Sequence, residues 1–280
     1  MKRVSGENTV FKLQQPSSLD LPGSLQFIDI HCHCLPGLDD GPGTMDKAIA
    51  LCEMLAADGV TTAIATPHQL GRFDGCNHSG EVRQAVADLC KELKNRSIPL
   101  KVLPGADIRV DERIPSLLRK DGILTLADGH RYILIELPHQ TFIDIQTLLP
   151  QLVSMSISAI ISHPERNPAL VKQPQAVHRW LENSAYLQIT AASVLGEFGP
   201  ITQRAAWHFL SSGQASLVAT DAHDTLDRQP RMSLAFKRIS RKLGRGVAHL
   251  VCMENPRRVV KGQDILMIPN SGLLTQVMRR

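Results

Sequence analysis

Seven short apolar runs, each followed by a segment of helical periodicity, constrain this chain more than any other feature. FIDIH (27–31), TTAIAT (61–66), LKVLPG (100–105), YILIEL (132–137), AIISH (159–163), YLQIT (186–190) and SLVAT (216–220) read as strands. Met45–Ala57, Glu81–Lys94, Gln146–Ser154, Gln175–Asn183, Thr202–Leu210 and Arg231–Leu243 place apolar residues three and four apart and read as helices. Strands that are apolar almost throughout, alternating with helices, imply an α/β fold whose parallel sheet is covered by helices. No G-x-G-x-x-G turn follows the first strand, so the count of seven favours a closed or nearly closed (βα)7 barrel over a nucleotide-binding open sheet. Residues 1–25, polar and containing Pro16 and Pro22, read as an N-terminal extension; 26–269 form the barrel and 270–280 a C-terminal tail.

Composition removes several functions. The 31 Lys/Arg and 27 Asp/Glu are interspersed and give a net charge of only +4, without the basic footprint of a duplex-binding protein. With 4% aromatic residues there is no base-stacking platform either, so nucleic acid is not the expected partner. No apolar run is long enough to span a bilayer, and no apolar stretch backs the basic N-terminus as it does in a signal peptide. The six cysteines fall mostly in apolar segments of a chain too long to need disulfide staples. They read as reduced thiols in a cytoplasm, with Cys32 and Cys34 turned into the core. A homo-oligomer is left open.

In such barrels the working groups stand where the strands end and the following loops begin. His31, His33, Asp39 and Asp40 follow the first run, His68 the second, Asp107 and Arg109 the third; Glu136 lies in the fourth, His163 and Arg166 follow the fifth, and Asp221 and His223 the seventh. Residues two apart on a strand share a face, so His31 with His33, and Asp221 with His223, can hold one ion together. A single H-x-H is weak evidence; histidines and carboxylates recurring at the same level of almost every strand are not. Eight or nine such ligands exceed the four of zinc or the six of an octahedral ion, implying two or three divalent metals. Nitrogen and oxygen donors without thiolate suit Mn²⁺ foremost, with Fe or Zn²⁺ as alternatives. Closely spaced ions lower the pKa of bound water towards ~7 and clamp the attacking and leaving oxygens, which fits phosphate ester hydrolysis. Arg166 suits the equatorial phosphoryl oxygens, against the plainer reading of an ion pair with its neighbour Glu165.

With DIHCHCLPGLDDG (29–41), GVTTAIATPH (59–68), LPGADIR (103–109), YILIELP (132–138), ISHPERN (161–167) and ATDAHD (219–224) in this order, the chain resembles the PHP-type metallophosphatases. Within these it resembles the bacterial protein-tyrosine phosphatases of capsule and exopolysaccharide operons. The resemblance implies a distorted (βα)7 barrel of the PHP type and a trinuclear centre. His31, His33, Asp107 and Asp221 would hold one metal, Asp107, Glu136 and His163 a second, and Asp40, His68 and His223 a third. It further implies phosphate binding by Arg166, catalytic roles for Arg166, Asp221 and His223, and a substrate in the phosphotyrosine-rich tail of a bacterial tyrosine kinase. Two departures stand out: Asp107 replaces a glutamate, and Gln69 replaces a histidine often found there.

The C-x₅-R pattern of cysteine-dependent phosphatases occurs from Cys90 to Arg96 and from Cys252 to Arg258. The first lies inside a helical run, and Pro256 removes an N–H that a phosphate loop needs, so both read as accidental. Tyrosinate, with a pKa near ~10, leaves readily and asks little of a general acid. Arg72, Arg109, Arg228 and Arg231 are expected near the mouth, with Arg109 contacting substrate. Two other readings compete: a phosphatase for a small phosphomonoester such as histidinol phosphate, and a non-catalytic regulator with a decayed metal site.

Overall fold

A computed structural model describes residues 25–268. The tail at 270–280 and, apart from Leu25, the extension at 1–25 lie outside the described residues. Among the described residues the strands are β1 (Phe27–Cys32), β2 (Val60–Ala65), β3 (His68–Gln69), β4 (Lys101–Pro104), β5 (Asp107–Arg109), β6 (Tyr132–Glu136), β7 (Ser158–Ser162), β8 (Tyr186–Thr190) and β9 (Ala215–Ala219). All pair in parallel, in two sheets ordered β1-β2-β4 and β3-β5-β6-β7-β8-β9.

Seven of the nine strands fall on the expected runs, and two more, β3 and β5, follow a break just beyond the second and third runs. Pro67 has no N–H to give a ladder and separates β2 from β3, while Gly105 and Ala106 separate β4 from β5. A Cβ at Gly105 would stand 2.6 Å from Ile64 Cγ2, so only glycine lets the backbone pass there. The chain therefore steps from one sheet to the other twice, and each step delivers a chemical residue, His68 or Asp107, to the start of the new strand.

At the far edge, β9 returns beside β1 without a regular ladder. Cys32 and Ala222 form one parallel bridge, Asp221 N–H donates to His31 O at 2.8 Å, and His33 N–H donates to Ala222 O at 2.9 Å. The buried Asp29 carboxylate replaces the missing rungs by accepting from both the backbone N–H and the hydroxyl of Thr220. Burial pushes its pKa up to about 7 against those hydrogen bonds.

The helices bury the outer face of the strands. Met45–Ala57 is capped by Thr44, whose hydroxyl accepts from Lys47 N–H, and turns Ala48, Ile49, Leu51, Cys52 and Leu55 inward. At its far end Asp58 accepts from the N–H groups of Met232 and Ser233, satisfying the start of the helix Met232–Leu243. Short helices at Ile114–Arg119 and Ala191–Leu195 had no counterpart in the periodicity, being too brief to show one, and the continuous helical stretch over 245–260, with a π-helical turn at Leu250–Glu254, had none either. All six cysteines are free; Cys32 at the end of β1, Cys34 just beyond it and Cys52 on the helix Met45–Ala57 are buried together in the core. No helix among the described residues is long and apolar enough to cross a membrane.

Candidate metal centre

The strand ends converge. Among the described residues, four overlapping groups each bring their donor atoms within 4.8 Å of one another: His31, His33 and Asp221; His31, Asp107 and His163; His68, Asp107 and Glu136; and His33, Asp40, His68 and His223. Together these are the nine residues that the sequence singled out as candidate ligands. The sharing differs in detail from the expected triads. His68 turns Nε2 to Asp40 Oδ1 at 3.4 Å and Nδ1 to Asp107 and Glu136 at 3.5 and 3.7 Å, so its ring stands between two groups. His163 Nε2 is 3.8 Å from Glu136 Oε1.

Hydrogen bonds on the outer side orient the imidazoles. His33 Nδ1 lies 2.6 Å from Asp39 Oδ2, and an ionised carboxylate only accepts, so His33 carries its proton on Nδ1. His31 Nδ1 donates to Gln188 Oε1 at 2.8 Å, and His223 Nδ1 to the carbonyl of Asp221 at 3.0 Å. Each leaves an Nε2 lone pair aimed inward, the arrangement found around metal-binding histidines. The lone pairs of His31 and His33 then face each other at 3.1 Å, which is repulsive unless a cation lies against them. His223 Nε2 and Asp107 Oδ2 are buried with no hydrogen-bond partner.

The charges fit the same account. Burial drives the pKa of His31 down to about 4 and that of His33 to about 3, so both are neutral and ready to ligate. Burial and the neighbouring Glu136 push Asp107 well above the usual carboxylate range, a repulsion that a divalent ion relieves. Burial lowers His68, but Asp40, Asp107 and Glu136 outweigh it and raise its pKa to about 9, so a proton occupies the place a cation would take. The donor set therefore suits hard or borderline divalent ions.

Two residues of the site adopt left-handed backbone, His163 at φ 33° and Asp221 at φ 54°.

Beside the donors opens a cavity of about 170 Å³ lined by His68, Arg72, Phe73, Arg109, Glu136, His139, Arg166, Asp221 and Arg228 among others. Arg166 Nη1 and Arg228 Nη2 both reach Asp221 Oδ2 at 2.5 Å. The alternative pairing of Arg166 with Glu165 is not formed, because Glu165 is buried and accepts from Thr190 N–H at 2.9 Å. Arg109 is held by Glu136 at 2.9 Å. Arg231, expected at the mouth, does not line the cavity and pairs with Glu197 at 3.1 Å. Gln69 is structural, donating to Asn77 O and accepting from Leu124 N–H. Neither cysteine motif reaches the cavity: Cys90 lies in the helix Ser79–Asn95 and Cys252 is fully buried. The sequence reading did not single out Gln188 or His139, and it named Asp39 only as a neighbour of Asp40.

The pattern of the CpsB/CapC family of capsular polysaccharide synthesis matches residues 27–261. The chain belongs to this family. Among CpsB/CapC relatives, the tyrosine-protein phosphatase YwqE of Bacillus subtilis is 32% identical over 250 residues, covering 86% of this chain and 94% of that protein. The tyrosine-protein phosphatase CpsB of Streptococcus pneumoniae is 30% identical over 246 residues, covering 85% and 100%. A structure from work on YwqE and CpsB, described as metal-dependent tyrosine phosphatases, superposes with a TM-score of 0.83 at 32% identity, covering 87% of this chain and 98% of that one. Beyond the CpsB/CapC family, a β-aspartyl dipeptidase from Fervidobacterium islandicum shares the fold alone, with a TM-score of 0.52 at 17% identity, covering 85% and 74%.

Proposed function

We propose that this protein is a metal-dependent protein-tyrosine phosphatase that regulates capsule or exopolysaccharide synthesis by dephosphorylating the tyrosine-rich tail of a bacterial tyrosine kinase. The observation that carries this reading is the convergence of nine nitrogen and oxygen donors beside a cavity that four arginines line. His31, His33, Asp40, His68, Asp107, Glu136, His163, Asp221 and His223 hold two or three divalent ions, Mn²⁺ foremost and Fe or Zn²⁺ as alternatives. Bound there, such ions supply Lewis acidity and make water a nucleophile near neutral pH.

The chain's own residues do the rest. Asp221 divides its labour: Oδ1 faces His31 and His33 at 3.3 and 3.5 Å, while Oδ2 anchors Arg166 and Arg228. Each guanidinium keeps further N–H donors for the phosphoryl oxygens, where negative charge must be met as the ester bond breaks. Arg109, steadied by Glu136, adds positive charge at the substrate side. Tyrosinate departs without a strong proton donor.

The same reading takes residues 26–269 as one distorted (βα)7 barrel of the PHP type. Its support is the parallel order of the strands and the contacts by which β9 returns to β1. A cytoplasmic site of action agrees with six free cysteines.

The test compares a phosphotyrosyl peptide with histidinol phosphate in Mn²⁺. Turnover of the peptide, abolished by EDTA and unchanged in Cys90→Ser, is the expected result. Turnover of histidinol phosphate alone, or activity that survives EDTA but not Cys90→Ser, overturns it.

A further inference from the structure

We propose that Phe198 is a positioning residue for Arg166, holding the guanidinium plane at the cavity without using any of its hydrogen-bond donors. The proposal rests on the reading that Arg166 binds phosphoryl oxygens. Arg166 Cζ lies 4.5 Å from the centroid of the Phe198 ring, and the arginine side chain is only 17% exposed. Its other anchor is Asp221 Oδ2, which it shares with Arg228.

The two anchors differ in kind. Asp221 holds Arg166 through an N–H, so it competes with any phosphoryl oxygen for the same edge of the guanidinium. Phe198 acts on the face, through the attraction of a cation to the negative π surface. Every N–H points in the plane and away from that contact. When a phosphoryl group draws donors from Asp221, the ring still fixes where the plane lies.

Each partner is placed by backbone contacts of its own segment. Arg166 ends the tight turn Pro164–Arg166, which starts at the left-handed His163 and is tied down where Glu165 accepts from Thr190 N–H. Phe198 sits in the connection between the helices Ala191–Leu195 and Gly199–Ser211. Gly196 and Gly199, at φ 96° and 87°, shape that connection, and a Cβ on Gly196 would stand 2.9 Å from Gln203 Nε2. Gln203 in turn donates to Val194 O at 3.0 Å, and Glu197 pairs with Arg231. The ring is thus presented by its own loop, half-buried beside Arg166.

The experiment uses the Mn²⁺-loaded full chain and reads the inhibition constant of inorganic phosphate, KM and kcat on p-nitrophenyl phosphate, metal content and Tm. Phe198→Leu keeps an apolar side chain of similar reach but removes the π face; Phe198→Trp keeps the face. The expected result is that Phe198→Leu raises the phosphate inhibition constant and KM about tenfold, with metal content and Tm near wild type. Phe198→Trp should stay within about twofold of wild type. Wild-type inhibition and KM in Phe198→Leu overturn the proposal, as does a loss of Tm and metal that tryptophan does not prevent. Arg166→Ala separates the two levels: a raised inhibition constant there beside an unchanged one in Phe198→Leu removes Phe198 alone. An unchanged constant in Arg166→Ala removes the phosphate-binding reading and the proposal with it.

Discussion

Asp39→Asn tests whether the imidazoles are set for metal binding from behind. Asp39 Oδ2 accepts from His33 Nδ1–H at 2.6 Å and from His68 N–H at 3.0 Å, while Oδ1 accepts from Gly41 N–H at 2.9 Å. All three partners are donors, so an asparagine amide meets at least one of them donor to donor in either orientation. With the NH₂ toward His33, the ring relieves the conflict by moving its proton to Nε2, and the lone pair that faces His31 is lost. With the NH₂ toward Gly41, His33 keeps its tautomer but loses an ionised partner. A charge-assisted hydrogen bond contributes about 1.5–3 kcal/mol, which at about 1.4 kcal/mol per decade is roughly a ten- to hundredfold loss of metal affinity. Competition of the metal-free protein with a chelating dye for Mn²⁺ measures this directly, with Tm of both apo proteins as the folding control. Because Asp39 does not line the cavity, excess Mn²⁺ should restore kcat. Wild-type Mn²⁺ affinity in a folded Asp39→Asn protein would refute the reasoning, as would a kcat defect that excess metal leaves in place.

Two further predictions concern the neighbouring residues. Burial pushes the Glu165 pKa from 4.5 up to about 7, so between those values the native state binds more protons than the unfolded one and stability falls as pH rises. In metal-free protein, the stability advantage of Glu165→Gln over wild type should therefore grow by about 3 kcal/mol from pH 4.5 to pH 7 in urea unfolding; a difference independent of pH contradicts this. Arg166→Ala and Arg228→Ala should each lower kcat/KM on a phosphotyrosyl peptide by about 10²–10³ with metal content retained. Since both guanidinium groups lie on Asp221 Oδ2, the double variant should lose less than the product of the two, and full additivity would contradict a shared anchor.

The sequence made seven of the nine strands, most of the long helices and the nine donor residues legible because each rests on local pattern; β3 and β5, two and three residues long, are too short to show one. Met45–Ala57 was read with its observed ends, since Thr44 and Gly59 punctuate it. The breaks at Pro67 and at Gly105–Ala106 were visible as residues, but their effect, a transfer between sheets, depends on where neighbouring strands lie. Asp39 and Asp40 are adjacent and chemically alike, and only the fold turns one behind His33 and the other toward His68 and His223. Arg228 and Arg231 looked equivalent until the loop returned one to Asp221 and sent the other to Glu197. Sequence proximity offered Glu165 as the alternative partner of Arg166, but Glu165 is committed to Thr190 and the partner found, Asp221, lies 55 residues away. Gln188 carries no motif; its role exists only because β8 sets it against His31.

Anomalous diffraction from Mn²⁺-loaded crystals tests the central claim most directly. The account predicts two or three Mn peaks among His31, His33, Asp40, His68, Asp107, Glu136, His163, Asp221 and His223, each at coordination distance, about 2.0–2.3 Å, from several of their donor atoms. Fully loaded, active crystals with no anomalous density at these side chains would contradict it.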